Sequence, residues 1–284
     1  MKRFVLINLF FLILSNLFAQ SMIVPPHNRH TMGFTAIDSG NIRVLYAMNA
    51  VDIHDTKTYD DLQRLEIGSK SSKYYSYFVF RNDSLLEDYR KKNPAAQSSP
   101  RLLGDFGKRG DNWSIITWSD FIKDFSKKTL AEYATMPRPI SRYRYSEELP
   151  VQDWELQEDT LTICGHLCQK ASCHFRGIDY IAWFTPELSV SNGPWKFGGL
   201  PGLILKVYDV DNHNVIECIK IESTKEKFPI YRFDDKHFPN TERSKLRKLD
   251  QEIYNNYYQL IELKSSDGTS EKFIPHPYHP LELE

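Results

Sequence analysis

Apolar and polar residues alternate along most of the chain, which is the pattern of strands that bury one face. Between Asn41 and Phe80, three such stretches follow one another: NIRVLYAMNAVDI, TYDDLQRLEIG and SKYYSYFVF. Farther along, LCQKASCHFRG and IDYIAWFT alternate around Gly177, and LILKVYDV and HNVIECIKIES flank Asp211 and Asn212. Both later pairs predict β-hairpins, because these turn residues accept a positive φ.

Fewer segments predict helices. RNDSLLEDYRKK, with Leu85, Leu86 and Tyr89 on one side, predicts a short helix from about residue 84. TERSKLRKLDQEIYNNYYQLIE predicts another, and WSDFIKDFSKKTLAEYATMP is interpreted as a helix with imperfect spacing. The alternation in RPISRYRYSEELP favours an edge strand. The chain is therefore expected to be mainly β (α+β), with an antiparallel, strongly curved sheet or partial barrel and a few helices packed on it.

The amino-terminal end has the composition of a secretory signal. Lys2 and Arg3 precede an apolar run from Phe4 to Leu14, and Ala19 offers a small residue for cleavage. We expect a signal peptide over 1–19, a flexible mature amino terminus over 20–40 and a single β-rich domain over 41–284. The mature protein is expected to be periplasmic or secreted, without a transmembrane segment. The formal net charge of −1 offers no positive field for nucleic acid.

In an exported protein, an even number of cysteines suggests disulfides. The four candidates are Cys164, Cys168, Cys173 and Cys218. Cys168 and Cys173 are expected not to pair, since both lie on one predicted strand about 16 Å apart. A bridge from the 164–173 region to Cys218 is the more plausible pairing. The same region also contains soft and imidazole ligands that suit copper or zinc, so a weak candidate metal site consists of Cys164, His166, Cys168 and His174.

The stretch GPWKFGGLPGLILKV, residues 193–207, places two turn signals around two aromatic residues. Pro201-Gly202 suits the centre of a type II turn, in which glycine takes a positive φ. The candidate ligand-binding or structural motif is therefore Trp195, Phe197, Gly198, Gly199, Leu200, Pro201 and Gly202. Its rings either plug one end of the sheet or form the wall of a pocket. A phosphate loop is disfavoured, because the stretch leads into a strand and not into a helix amino terminus.

This stretch and its surroundings resemble the GLPGLI family of exported proteins from Bacteroidetes, named for the peptide at residues 199–204. The similarity includes the Cys168, Lys170 and Ala171 pattern, the SKYYSYFVFRNDS segment and the terminal PYHPLELE. Ile178 departs from the pattern, where a second arginine is common, and Cys164 and Cys173 look like additions. The resemblance implies a periplasmic or secreted protein and brings no established activity.

Catalytic signatures are weak. There is no Gly-x-Ser-x-Gly or His-Glu-x-x-His motif, and Asp38-Ser39-Gly40 is more typical of a turn than of an aspartic protease. No cofactor is predicted. The favoured hypothesis is a non-enzymatic binding or accessory protein of the cell envelope that cups an apolar ligand or docks on an outer-membrane partner. The alternatives are a periplasmic copper- or zinc-handling protein and an unrecognised hydrolase.

Overall fold

The computed structural model describes residues 29, 33–100, 103–105, 107–109 and 118–283. This part of the chain forms eleven strands and two helices, apart from short 3-10 turns. The strands are β1 (Phe34–Met48), β2 (Asp61–Gly68), β3 (Ser71–Ser76), β4 (Ser119–Asp124), β5 (Thr129–Ala134), β6 (Tyr143–Glu148), β7 (Glu155–Ile163), β8 (His166–Phe175), β9 (Ile178–Thr185), β10 (Leu203–Asp209) and β11 (Val215–Phe233). The helices are α1 (Tyr77–Lys92) and α2 (Arg243–Leu260).

All strands join one antiparallel sheet in the order β6-β5-β4-β3-β2-β1-β11-β10-β9-β8-β7. Its centre is the pairing of β1 with β11, which runs from Phe34 opposite Phe233 to Met48 opposite Ile216. On each side of this pair, consecutive strands are neighbours. Because β6 and β7 are the two ends of the order and do not pair with each other, the sheet is not closed into a barrel. The predicted mainly β, antiparallel fold class is confirmed.

The two faces of the sheet differ in chemistry. Val44 and Tyr46 of β1 and Tyr74 of β3 are buried in the main hydrophobic core. Their chain neighbours point to the opposite face, as strand geometry requires, and on that face lie Arg43 and Lys73. One face of the central strands is thus an apolar core. The other carries charged side chains around Arg43 and Lys73 and, at the end of the strands near Ala47 and Leu62, a second hydrophobic core.

Helix α1 begins earlier than the sequence suggests. SKYYSYFVF is predicted as one strand, but β3 ends at Ser76 and α1 starts at Tyr77, not near residue 84. The Ser76 hydroxyl accepts a hydrogen bond from the Val79 backbone N–H at 3.2 Å and so caps the helix. This local bond overrides the strand propensity of the aromatic run.

The segment interpreted as a second helix is instead the hairpin of β4 and β5, so that prediction is wrong. Its apolar residues alternate: Phe121 lies in the main core, and the flanking Asp120 and Ile122 belong to the other face. The two predicted hairpins around Gly177 and around Asp211-Asn212 are confirmed, as are the edge strand β6 and the carboxy-terminal helix α2.

The first strand reaches into the segment that was expected to be flexible. Residues from Phe34 onward pair with β11, so 34–40 belong to the sheet. Residues 1–28, which contain the predicted signal peptide, lie outside the described residues. Neither α1 nor α2, the helices of the described chain, has the length and apolar character needed to cross a bilayer.

Candidate functional site

The glycine-rich loop, residues 186–202, connects β9 to β10 and packs on the apolar face of the sheet. Trp195 and Phe197 are only 1% and 0% exposed. Their rings meet edge to face with centroids 5.2 Å apart, and Tyr180 packs on Phe197 with centroids 4.7 Å apart. These are favourable aromatic geometries. The two rings of the motif therefore lie inside the core, and Trp195 also borders a small cavity of about 60 Å³ together with Phe121 and Arg247.

The turn chemistry of this loop differs from the prediction. Gly202 does not take the positive φ of a type II turn; positive φ values occur at Trp195 (49°) and Gly199 (84°). A Cβ added to Gly202 would lie 2.1 Å from the Thr185 carbonyl oxygen. Glycine is required at 202 because the loop passes against the β9 backbone, and the turn angle is not the reason.

A buried lysine holds the loop from the opposite half of the sheet. Lys123 of β4 donates from its ammonium to the Asn192 side-chain oxygen at 2.9 Å, to the Gly193 carbonyl at 3.1 Å and to the Phe197 carbonyl. Its side chain is 3% exposed, and burial lowers its pKa to about 7. Backbone oxygens of the loop thus satisfy a cation that no carboxylate neutralises among the described contacts.

A second lysine, Lys196 within the loop, belongs to an ion-pair network. Its ammonium donates to the Tyr145 hydroxyl at 2.7 Å and to the Glu282 carboxylate at 2.6 Å. Arg176 also donates to Glu282, and Arg247 lies 3.5 Å from it. Burial alone would raise the pKa of Glu282, but the positive charges of Lys196 and Arg247 lower it to about 2. The glycine-rich loop, the turn between β8 and β9, and the carboxy-terminal segment therefore meet at one buried carboxylate.

The same network extends to helix α2, which packs over this end of the core. Arg247 donates to Glu132 of β5 at 2.6 Å and lies 3.2 Å from Asp250. Asp250 is 1% exposed, and burial raises its pKa to about 7. Each of these charges has an opposite charge within ion-pair distance. We assign the network a structural role: it fastens the loop, α2 and the terminal segment together.

The four cysteines are free thiols in this structure, so the predicted disulfide is not formed here. Cys164 and Cys218 are nevertheless neighbours, with the Cys164 sulfur 3.1 Å from the Cys218 carbonyl oxygen. A side-chain hydrogen bond from the Cys218 thiol lowers the pKa of Cys164 to about 7, whereas burial raises that of Cys168 to about 11 and that of Cys173 to about 12. A bridge from the 164–173 region to Cys218 stays a prediction, which mass mapping without reductant tests.

The predicted metal ligands are spread out along β8 and the turn before it: Cys164 lies in the turn, and His166, Cys168 and His174 lie on the strand. His166 Nδ1 lies 2.6 Å from a Glu187 oxygen, and His174 Nδ1 lies 2.6 Å from an Asp179 oxygen. Eight residues of extended strand separate the two histidines by about 26 Å. Within the described ranges, the potential ligands that come within 4.8 Å of one another are Asp209, Asp211 and His213.

The Asp38-Ser39-Gly40 triplet lies within β1 and pairs with β11, so the prediction of a turn at these residues is wrong. The Asp38 carboxylate accepts hydrogen bonds from the backbone N–H groups of Lys70 at 2.7 Å and Ser71 at 2.9 Å. These bonds outweigh burial and lower the pKa of Asp38. The carboxylate therefore caps the β2-β3 turn.

A cavity of about 500 Å³ lies on the charged face of the sheet, against β1, β2, β3, β11 and α1, and is called the outer cavity here. Four basic residues line it: Arg29, Arg43, Arg64 and Lys73. Three acidic residues line it as well: Glu66, Asp83 and Asp120. The remaining lining consists of five aromatic residues and Pro229. The volume is within the range of about 300–1,000 Å³ that is typical of small-ligand sites.

Aromatic rings form two walls of the outer cavity. Phe34, Tyr231 and Phe233 come from β1 and β11, and Tyr75 and Phe80 come from β3 and α1. Phe34, Phe80 and Tyr231 are 39%, 37% and 42% exposed, which makes them the most exposed aromatic side chains of the described residues. All three line this one cavity. Exposed rings gathered in one place indicate a contact surface, whereas scattered ones do not.

Charged groups lie between these aromatic walls. The Lys73 ammonium is 4.9 Å from the Tyr75 ring centroid and 5.2 Å from that of Phe233, within cation-π distance of both. It pairs with Asp120 at 2.9 Å, and the neighbouring Arg43 pairs with Glu66 at 3.1 Å. The floor of the outer cavity is thus a row of alternating charges across the strands.

Sequence reasoning missed the outer cavity. The alternation of charged and apolar positions in β2 and β3 indicates one buried and one exposed face, and charged residues on an exposed face are usually solvated. The signal that marks the site is the combination of arginine, lysine and tyrosine on one side of two adjacent strands, in Arg64, Lys73 and Tyr75, with aromatic Phe80 one helical turn later. From the sequence alone, that combination predicts strands and does not indicate a cavity.

Comparison with known proteins gives one family match. The family model described as the N-terminal domain of the N-glycanase peptide, PNGase F-II, matches residues 124–245, from the end of β4 to the start of α2. This segment includes the glycine-rich loop and the β11 wall of the outer cavity. No curated protein matches the chain.

Two solved structures of PNGF-II, in the P21 and C2 space groups, are similar to this chain with TM-scores of 0.46 and 0.42. Each is 13% identical over 76% of this chain. The matches cover 34% and 33% of the PNGF-II chains, so this chain spans about a third of their length.

Proposed function

We propose that this chain is an exported, non-enzymatic binding protein of the cell envelope, a member of the GLPGLI family, that holds a carbohydrate in the outer cavity. The observation that carries the proposal is that the three most exposed aromatic rings of the described residues, Phe34, Phe80 and Tyr231, all line this cavity. The apolar face of a sugar ring packs on such rings, while its hydroxyl groups hydrogen-bond to the charged side chains between them.

The family match supports the ligand class. The matching domain belongs to a protein named as an N-glycanase, an enzyme class that acts on glycans, and the match includes β11 of the cavity wall. An accessory role beside glycan processing follows from this proposal. Export is supported by the basic and apolar sequence before Ala19.

The outer cavity lies on the opposite face of the sheet from the one that the sequence favours for a ligand. A curved sheet that cups a ligand would hold it on the apolar face. That face is filled by Trp195 and Phe197, and Lys123 of β4 reaches the loop after β9, which supports strong curvature of the sheet around its own core. The lining that a ligand can contact lies on the charged face of the sheet, in the outer cavity.

Binding of a labelled panel of neutral and acidic oligosaccharides, including released N-glycans, tests the proposal. We expect the mature protein to bind members of the panel, and Tyr231→Ala and Phe80→Ala to weaken that binding at least tenfold. Tyr208→Ala, which removes a partly exposed ring on β10 outside the cavity, is the matched control. Binding that survives both cavity substitutions, or a native mass spectrum of envelope-purified protein with a lipid or a metal in place of a glycan, would overturn it.

A further inference from the structure

The charges of the outer cavity do not cancel. Glu66 is paired with Arg43, and Asp120 is paired with Lys73. Arg29 completes the row: its side chain contacts Asp83 at 3.4 Å and also Asp120. All three carboxylates of the lining are therefore engaged by three of its four cations.

Arg64 is the fourth cation, and in the described part of the chain it forms no ion pair. Its Nε is buried without a hydrogen-bond acceptor. The guanidinium lies flat against Tyr77, 3.8 Å from the ring centroid, and 6.0 Å from that of Phe80. The guanidinium donates a hydrogen bond to the Tyr75 hydroxyl. Glu66 and Glu222 are close enough to influence it electrostatically, but Glu66 is bound by Arg43 and Glu222 by Lys220. Stacking fixes the plane of the guanidinium and leaves its donors without a carboxylate.

A stacked guanidinium that has no described carboxylate within ion-pair distance is suited to a planar anion, since two parallel N–H groups match the two oxygens of a carboxylate. The rest of the lining selects against an acyl chain. Apart from Pro229, the described residues of the lining include no aliphatic side chain, only aromatic and charged ones. Rings and hydrogen-bonding groups suit a sugar, and the surplus positive charge suits an acidic one.

We infer that the ligand of the outer cavity is an acidic oligosaccharide whose uronate carboxylate binds Arg64, with its sugar rings packed between the aromatic walls. This inference rests on the proposed function and narrows its ligand class from glycans to carboxylated glycans. Phe80 and Tyr231 supply the contact with the rings, and Arg64 supplies the selection for charge.

The test compares trigalacturonate and trimannuronate with their methyl esters, which keep the shape and remove the charge. In titration calorimetry we expect at least one acid to bind ten times more tightly than its ester, and the advantage to shrink when NaCl rises from 50 to 500 mM. Arg64→Gln should abolish the advantage and Arg64→Lys should restore part of it. Arg81→Gln, an exposed position on α1 outside the cavity lining, should leave it unchanged.

The possible results distinguish the role of Arg64 in binding an acidic glycan from carbohydrate binding in the outer cavity. Equal binding of acid and ester by the unmodified protein, or an acid preference that survives in folded Arg64→Gln, overturns the role of Arg64. If only neutral glycans bind, and Tyr231→Ala abolishes that binding, the proposed function stands and the acidic ligand is wrong. If no oligosaccharide binds but vesicles of anionic phospholipid do, both are wrong. The melting temperature of each variant shows whether it is folded.

Discussion

The ion pairs around Glu282 and those of the outer cavity use the same residue types on opposite faces of one sheet, with opposite outcomes. Around Glu282, lysine and arginine converge on one buried carboxylate, and every charge has a partner. Among the described residues of the outer cavity, cations outnumber carboxylates, and Arg64 is stacked on an aromatic ring without a carboxylate within ion-pair distance.

The contrast separates two roles of buried charge. A network in which each charge has an opposite charge within ion-pair distance stabilises one arrangement of loop, helix and terminal segment. A cation that lacks a carboxylate partner among the described residues is stabilised when a ligand supplies the carboxylate. The substitutions below should therefore affect stability on the first face and binding on the second.

The largest expected effect is the loss of Trp195. Trp195→Ala should lower the free energy of unfolding by about 3–5 kcal/mol, because the ring is almost fully buried and its removal leaves a cavity. Urea unfolding measures this. Trp183→Ala, a partly buried tryptophan on β9, is the control and should cost clearly less. An unchanged unfolding free energy in Trp195→Ala would mean that the loop is not part of the core.

Glu282→Gln should cost about 3 kcal/mol at pH 7, since it leaves buried cations without their carboxylate. The pKa of Glu282 is about 2 in the folded protein against an ordinary 4.5, so between these pH values the unfolded chain binds more protons. The stabilisation by Glu282 is therefore present above pH 4.5 and lost as the pH falls toward 2. The difference between the unmodified protein and Glu282→Gln should shrink over that window. Glu252→Gln, at an exposed position on α2, should show neither effect.

Gly202→Ala should cost about 1–3 kcal/mol, because the added Cβ collides with the Thr185 carbonyl oxygen and the loop must shift. Gly198→Ala is the matched control in the same loop, where the nearest atom to an added Cβ is 3.7 Å away. Thermal unfolding of the two variants compares them directly. Equal destabilisation would show that backbone freedom, and not close approach, decides the residue at 202.

The smallest expected effect on stability is that of Tyr231→Ala, within about 0.5 kcal/mol, since the ring is 42% exposed. The same variant should lose oligosaccharide binding. Trp195→Ala, measured at a temperature where it is still folded, should keep it. If Tyr231→Ala bound oligosaccharides normally, the assignment of binding to the charged face and of stability to the core face would be wrong.

Much of the sheet was predictable because its signals are local. The turns at Gly177 and at Asp211-Asn212 lie between alternating stretches, and both hairpins formed as expected. The start of α1 was missed because the aromatic residues from Tyr77 to Phe80 favour strands, whereas a single hydroxyl, that of Ser76, decides for the helix. The spacing of apolar residues along the chain does not reveal a single capping hydrogen bond.

The sites were harder to predict than the strands, because their members are distant in sequence. Lys196 and Glu282 are 86 residues apart, and no pattern in the chain links them before the fold is known. The candidate metal ligands illustrate the converse case. His166 and His174 are close in sequence, but an extended strand holds them apart. Proximity along a strand is a poor guide to proximity in space.

The central pairing of β1 with β11 has a consequence for how the chain folds. Phe34 and Phe233 are partners although about 200 residues separate them, so the middle of the sheet closes only when nearly all of the domain is available. Until β11 arrives, β1 presents an unpaired edge of fifteen residues, the length of strand that invites pairing with another chain. We expect refolding from urea to be slow and to lose yield with rising protein concentration, and a fragment that stops before Val215 to aggregate.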